Sequence, residues 1–195
     1  MKLSYTNIPS VFEITEVDIP SDLNLYEPNN IWDPFFSGHH PDTQELCTRH
    51  CAKSLNIELE SFFNSFLSEL SPLIKNAVRE QYEKDLLEWW PSSFIEQFNF
   101  EAQQINIFKD SPKFNMGLHV DNGLSLGTTV INLTDSESYT EYYESNSDEV
   151  IKYRGPSAKG TGIVHINQPG LWHSGINNSI NDRFILMSYF SVIEN

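Results

Sequence analysis

The sequence predicts a mainly β protein with added α structure: an antiparallel barrel or sandwich of about eight strands with a helical layer on one face. Three observations lead there. Apolar residues recur at steps of three and four between about 41 and 98, and at steps of two from about 100 to the C-terminus. Turn-forming residues cut that second half into short segments, spaced every ten or so positions. The order is helices first and strands afterwards, with no βαβ alternation, internal repeat or low-complexity linker, so residues 1–195 are expected to form a single domain.

Residues 1–40 read as an irregular N-terminal segment with short strands. Val11 to Val17 alternates loosely, while Pro9, Pro20, Pro28, Pro34 and Asn29-Asn30 punctuate the run. Residues 41–98 read as supporting helices. Asp42 or Thr43 would cap the first, which carries Leu46, Ala52, Leu55 and Leu59. The second would present a stripe from Phe62, Phe63 and Phe66 through Leu70 and Ile74 to Val78, divided or kinked at Pro72. In residues 100–195 strands are expected near 102–109, 114–121, 126–133, 139–144, 149–154, 160–166, 169–175 and 182–192.

Composition narrows the function. Among 195 residues, 12 Lys and Arg face 27 Asp and Glu, a net charge of −15 that repels phosphate backbones and anionic lipid, so neither nucleic acid nor membrane is an expected partner. Aromatic residues make up 13% of the chain, enough to fill a core without crosslinks. With only Cys47 and Cys51, a disulfide framework and a cysteine-only zinc site are both excluded. The N-terminal stretch lacks the basic start and unbroken apolar run of a secretion signal, so a cytoplasmic location with reduced thiols is expected.

The chemistry-bearing residues lie in the second half. His119 and Asp121 stand two apart in Met-Gly-Leu-His-Val-Asp-Asn, and on a strand residues i and i+2 share a face. An imidazole and a carboxylate side by side can fill two neighbouring positions of a divalent metal. By itself the pair reads first as a hydrogen-bonded couple at a strand end, because His-x-Asp is frequent by chance. His173, in Pro-Gly-Leu-Trp-His-Ser-Gly, is the natural third ligand if the sheet rolls it back. Two histidines and one carboxylate leave open positions of the kind non-haem Fe(II) uses for an oxidisable co-substrate and O₂. Arg183 opens the apolar run Phe184 to Val192, where a guanidinium becomes buried and needs an anion. A bidentate carboxylate would serve.

At these residues the sequence resembles the Fe(II)/2-oxoglutarate-dependent dioxygenase superfamily: His-x-Asp, a later His, and an Arg about ten residues beyond it. The resemblance covers 100–195. Ile105 to Asp121 looks like the first two barrel strands of the prolyl-hydroxylase-like branch, Val130-Ile131-Asn132-Leu133 like a following strand, and Lys159 to Val164 like the strand before the distal histidine. It implies a double-stranded β-helix, the jelly-roll or cupin-like barrel. It also implies Fe(II) held by His119, Asp121 and His173, and 2-oxoglutarate held at its C5 carboxylate by Arg183. Hydroxylation would consume O₂ and release succinate and CO₂, with ascorbate as a possible reductant. The expected substrate is a peptide, a protein side chain or a small molecule; the oligomeric state is left open. Two positions depart from the pattern. Phe108 stands where many members carry a co-substrate-binding Tyr, with Asn106 as a candidate replacement contact that reads first as an ordinary solvent-facing Asn, and Ile185 stands two after the Arg where many carry Ser. A cupin-like ligand-binding or structural barrel without oxygenase activity is the alternative.

Other polar residues carry plainer readings. His165 is a pocket contact, behind the ligands or to the substrate, or a satisfied core histidine. His39-His40 read as a loop that would serve as a substrate lid. Cys47 and Cys51 share a helix face with His50 turned away, which favours packing over metal binding. Trp89-Trp90-Pro91 and Trp172 read as core filling, and Tyr139 to Asp148 as an acidic rim loop that would suit a cationic substrate. Six residues beyond Arg183, where nucleobase demethylases carry a second Arg, this chain has Tyr189.

Overall fold

The computed structural model describes residues 1–40, 43–55, 59–83, 100–121, 125–147 and 150–192. Eleven strands and one long helix occur among them. In chain order they are β1 (Lys2–Tyr5), β2 (Val11–Thr15), β3 (Ile31–His39), β4 (Leu46–Ser54), α1 (Glu60–Glu83), β5 (Phe100–Asp110), β6 (Gly127–Asn132), β7 (Ser138–Tyr143), β8 (Ile151–Arg154), β9 (Gly162–Ile166), β10 (His173–Asn177) and β11 (Arg183–Val192). Eight strands form one sheet in the order β1-β2-β9-β6-β11-β5-β4-β3, and β10-β7-β8 form a second. Every pairing is antiparallel. This is a double-stranded β-helix extended at its edges by N-terminal strands.

Strict alternation gives the large sheet two different faces. Val164 and Ile166 of β9, Ile131 of β6, and Phe184, Leu186 and Phe190 of β11 join a core that includes Phe66, Leu70, Ile74 and Val78 of α1. The intervening residues Val130, Ile163, Ile185 and Met187 face the other way and pack with Tyr142 of the small sheet. The helix therefore covers one face and the small sheet the other, and the polar residues of interest lie between the sheets.

Three expectations need correction. Residues 46–54 are a strand rather than the first helix. The inward side chains there are Cys47 and Arg49, 1% and 3% exposed, whereas Leu46 is 61% exposed, so a charged residue points in and an apolar one points out. A purely apolar count misreads that period. Cys47 and Cys51 still share a face, now of a strand, and both thiols are free. Second, α1 runs unbroken across Pro72. Proline removes one backbone hydrogen bond, but Leu70 and Ile74 on either side are both fully buried and anchor the helix across the gap. Third, no continuous strand spans 114–121. Positive φ at Lys113 and Gly117 breaks the extended run, leaving isolated bridges at Asn115–Ile176 and His119–His173. The expected features Asp42, Trp89-Trp90-Pro91 and Asp148 lie outside the described residues. No helix among the described residues is long and apolar enough to cross a membrane.

Candidate metal and anion site

The site starts from a backbone contact. His119 and His173 exchange both of their main-chain hydrogen bonds, N–H to C=O at 3.0 and 2.9 Å. A pair bonded in this way places its side chains next to one another, and the imidazole centroids lie 4.3 Å apart. Asp121, two residues beyond His119, brings its Oδ1 to 3.6 Å from His119 Nε2 and 3.5 Å from His173 Nε2. Potential donor atoms of the three residues all lie within 4.8 Å of one another. Adjacent donors on a metal with bonds of about 2.1 Å are roughly 3 Å apart, so closing the set requires only a small contraction.

Each donor is aimed by a partner behind it. His119 Nδ1 is 3.0 Å from the Gly117 carbonyl, and His173 Nδ1 is 3.0 Å from the Leu171 carbonyl. A carbonyl only accepts, so each Nδ1 carries the proton and each Nε2 presents its lone pair to the common point. On Asp121 the outer oxygen is taken. Oδ2 accepts from the Thr128 hydroxyl at 2.8 Å and from His165 Nε2 at 3.0 Å, which leaves Oδ1 facing the two imidazoles. Because the carboxylate can only accept, His165 donates from Nε2, and its Nδ1 accepts from the Tyr142 hydroxyl at 2.7 Å. His165 is thus a positioning residue for Asp121, resolving its two sequence readings in favour of the first.

Electrostatics agree with this proton inventory. Burial, with the neighbouring His173 adding to it, pushes the His119 imidazole below its ordinary range. Burial does the same to His165 against the pull of Asp121. For Asp121 burial acts upward but is outweighed, foremost by the hydrogen bond that His165 donates, so the group stays ionised far below the usual carboxylate range. A neutral His119 beside an ionised Asp121 is the pairing of states that metal ligation requires.

At the opposite end of the same cavity lies a row of charge. Arg49 on β4, Asp110 on β5 and Arg183 on β11 are directly opposite one another across three neighbouring strands. All three are buried, at 3%, 0% and 2% exposure. Arg49 holds Asp110 through Nε at 2.6 Å and Nη2 at 2.8 Å. Arg183 is 3.9 Å from Asp110 and donates to Asn132 Oδ1 at 3.4 Å, while its Nε has no partner. Burial, partly offset by Asp110, lowers the Arg183 guanidinium to about 10, so it remains charged at neutral pH. The cavity is lined by both arginines, the three donor residues, Thr128, His165, Ile185, Met187 and Tyr189, among others.

Sequence reasoning thus named His119, Asp121, His173 and Arg183, and the structure gathers all four around one cavity. Asn106 is different. It is opposite Met187 in the sheet, but Met187 lines the cavity whereas Asn106 accepts from the Cys51 thiol at 3.7 Å and borders a separate hollow with Lys53 and Leu55. It has no place in the proposal below. Phe108, at the other departure from the family pattern, is 1% exposed and lies with its ring 5.3 Å from the Arg49 guanidinium carbon. Arg49, Asp110 and Thr128 were missed. Arg49 carries no periodic signal, because the inward positions of its strand, Cys47 and Arg49, form no apolar period.

A variant isolates the outer support. Replacing His165 with Phe keeps a ring in the core but removes the donor to Asp121 Oδ2. Fe(II) affinity is expected to fall roughly 10–100-fold, the usual effect of losing a group behind a ligand. Titration with Fe(II) or Mn(II) measures it; unchanged affinity would remove His165 from the site.

No protein-family profile and no curated protein matches the chain. In fold it is similar to a solved oxidoreductase of the 2OG-Fe(II) oxygenase family from Burkholderia pseudomallei. The TM-score is 0.51 at 12% identity, over 86% of this chain and 76% of that one. A prolyl-4-hydroxylase from Pseudomonas putida gives a TM-score of 0.46 at 11% identity, over 75% and 72%. A cupin domain from Bordetella pertussis gives 0.33 at 15% identity, over 48% and 93%. The first of these likenesses supports the double-stranded β-helix fold.

Proposed function

We propose that this protein is an Fe(II)- and 2-oxoglutarate-dependent oxygenase that hydroxylates a peptide, a protein side chain or a small molecule. One observation carries the reading: two Nε2 lone pairs and one carboxylate oxygen converge, each fixed by a hydrogen bond or chain constraint behind it, in the same cavity as a buried, under-partnered guanidinium. The donor set fits a facial triad, and His119, Asp121 and His173 would hold the metal. When bound, Fe(II) with 2-oxoglutarate and O₂ supplies oxidative decarboxylation to succinate and CO₂ coupled to C–H hydroxylation.

The chain's own residues have distinct tasks in that scheme. Thr128 and His165 hold Asp121 as a one-oxygen ligand by occupying its Oδ2. The Gly117 and Leu171 carbonyls hold the two imidazoles with Nε2 unprotonated toward the metal. Arg183 neutralises the far carboxylate of the co-substrate, and the apolar Ile185 and Met187 beside it exclude water. His119 and Asp121, with side chains 29% and 21% exposed against 7% for His173, mark the side from which substrate approaches.

The test is turnover. Protein loaded with Fe(II) and supplied with ascorbate, O₂ and 2-oxoglutarate is expected to form succinate, and His173→Ala and Arg183→Ala are expected to abolish it. No succinate from the iron-loaded wild type would overturn the reading in favour of a non-catalytic, cupin-like binding barrel.

A further inference from the structure

Two buried guanidiniums share one buried carboxylate in the Arg49–Asp110–Arg183 row, so this end of the cavity carries a net charge of about +1 away from water. A protein does not leave such a charge dry without an anion to meet it. Donors are also left over. Arg49 spends Nε and Nη2 on Asp110, but its Nη1 meets only sulfur, Met116 Sδ at 3.6 Å and Met187 Sδ at 3.5 Å, and thioethers are weak acceptors. Arg183 Nε meets nothing.

The backbone beside the two guanidiniums is bare at one point. Gly175 lines the cavity, and a Cβ placed there would be 3.8 Å from Arg49 Nη2 and 3.8 Å from Arg183 Nη1. The two guanidiniums therefore flank one patch of backbone from which no side chain projects.

We propose that Arg49 is a second co-substrate contact, and that Arg49 and Arg183 together clamp the distal carboxylate of a dicarboxylic keto acid. The inference rests on the oxygenase reading for the ligand's identity, but its geometry belongs to this chain alone. Arg49 acts in two ways. Its Nη1 gives the anion a donor stronger than either sulfur needs. Its fork also occupies Asp110, which would otherwise move from 3.9 Å onto Arg183 and cancel the charge the ligand requires. A keto acid without a distal carboxylate gains nothing from either action, so Arg49 sets selectivity for a second carboxylate as well as affinity.

Calorimetric binding to the Mn(II)-loaded protein tests this without turnover, using 2-oxoglutarate and 2-oxobutyrate, which lacks the distal carboxylate. Wild type is expected to prefer 2-oxoglutarate strongly. Arg49→Lys keeps the charge and loses the fork; it is expected to weaken 2-oxoglutarate about tenfold or more, the loss of a charge-assisted hydrogen bond, with 2-oxobutyrate little changed. Equal losses for both ligands, no loss for either, or a wild type that does not discriminate would overturn the proposal. If Arg49→Lys folds poorly, Arg49→Met combined with Asp110→Asn removes one cation and one anion together. That pair should still bind 2-oxoglutarate about tenfold or more weakly, and wild-type affinity would overturn the proposal. Selective binding lost in Arg49→Lys but no succinate from iron-loaded wild type would remove the oxygenase reading and leave Arg49 in place. Succinate formed with full binding by Arg49→Lys would do the reverse.

Discussion

Asp121→Ala is expected to abolish tight Fe(II) binding, a larger loss than the roughly 10–100-fold that follows removal of a supporting group. The reason lies in what the carboxylate does for its neighbours. Its Oδ1 is the negative donor between the two imidazoles, at 3.6 and 3.5 Å from their Nε2 atoms. Without it no anionic ligand remains among the three, and the Thr128 hydroxyl and His165 N–H point at empty space. His39→Ala and His50→Ala are the controls. Those residues sit on β3 and β4, away from the donor cluster, and Fe(II) affinity should stay at the wild-type value. Metal titration followed by competition with a chelator measures all three variants. Equal weakening by Asp121→Ala and His39→Ala would mean that the metal binds elsewhere.

The second large effect is on stability. Asp110→Asn keeps the shape of the side chain and removes the one carboxylate among the described residues that lies between Arg49 and Arg183. Two guanidiniums at 3% and 2% exposure then face each other without compensation. Breaking a buried pair in this way costs about 3–5 kcal/mol. For a chain of this size that corresponds to a fall in Tm on the order of 10 °C. Thermal unfolding followed by circular dichroism reads the shift. A Tm within a degree or two of wild type would show that the charge row contributes little to the fold.

What could be read in advance, and what could not, follows from residue chemistry. His119, Asp121 and His173 were readable less from their own spacing, since His-x-Asp is frequent by chance, than from the Arg183 that follows them in order. Arg183 was readable because Phe184 to Val192 is so apolar that a charged neighbour demands a partner. The second half of the barrel was readable through its period of two, since β6, β9 and β11 each bury alternate residues against different layers. Arg49 was hidden by the same logic turned round. A strand whose inward positions are a thiol and a guanidinium, and whose outward end is Leu46, has no apolar period, and Leu55 and Leu59 beyond it completed a false helical one. His165 sat in plain view on β9, but its partner Asp121 is forty-four positions away, and the two meet because the β6–β9 pairing sets Thr128, which also bonds Asp121, opposite His165.

The pairing of β2 with β9 has a bearing on how the molecule comes to be made. Val11, Phe12 and Ile14 are completely shielded in the finished fold, and their sheet neighbours are His165, Val164 and Gly162. At ribosomal elongation rates the earlier strand waits roughly ten to thirty seconds for the later one to be synthesised. Throughout that interval a greasy, edge-competent segment near the N-terminus has no native neighbour on its β9 side, which is the circumstance in which nascent chains engage holdase chaperones or aggregate.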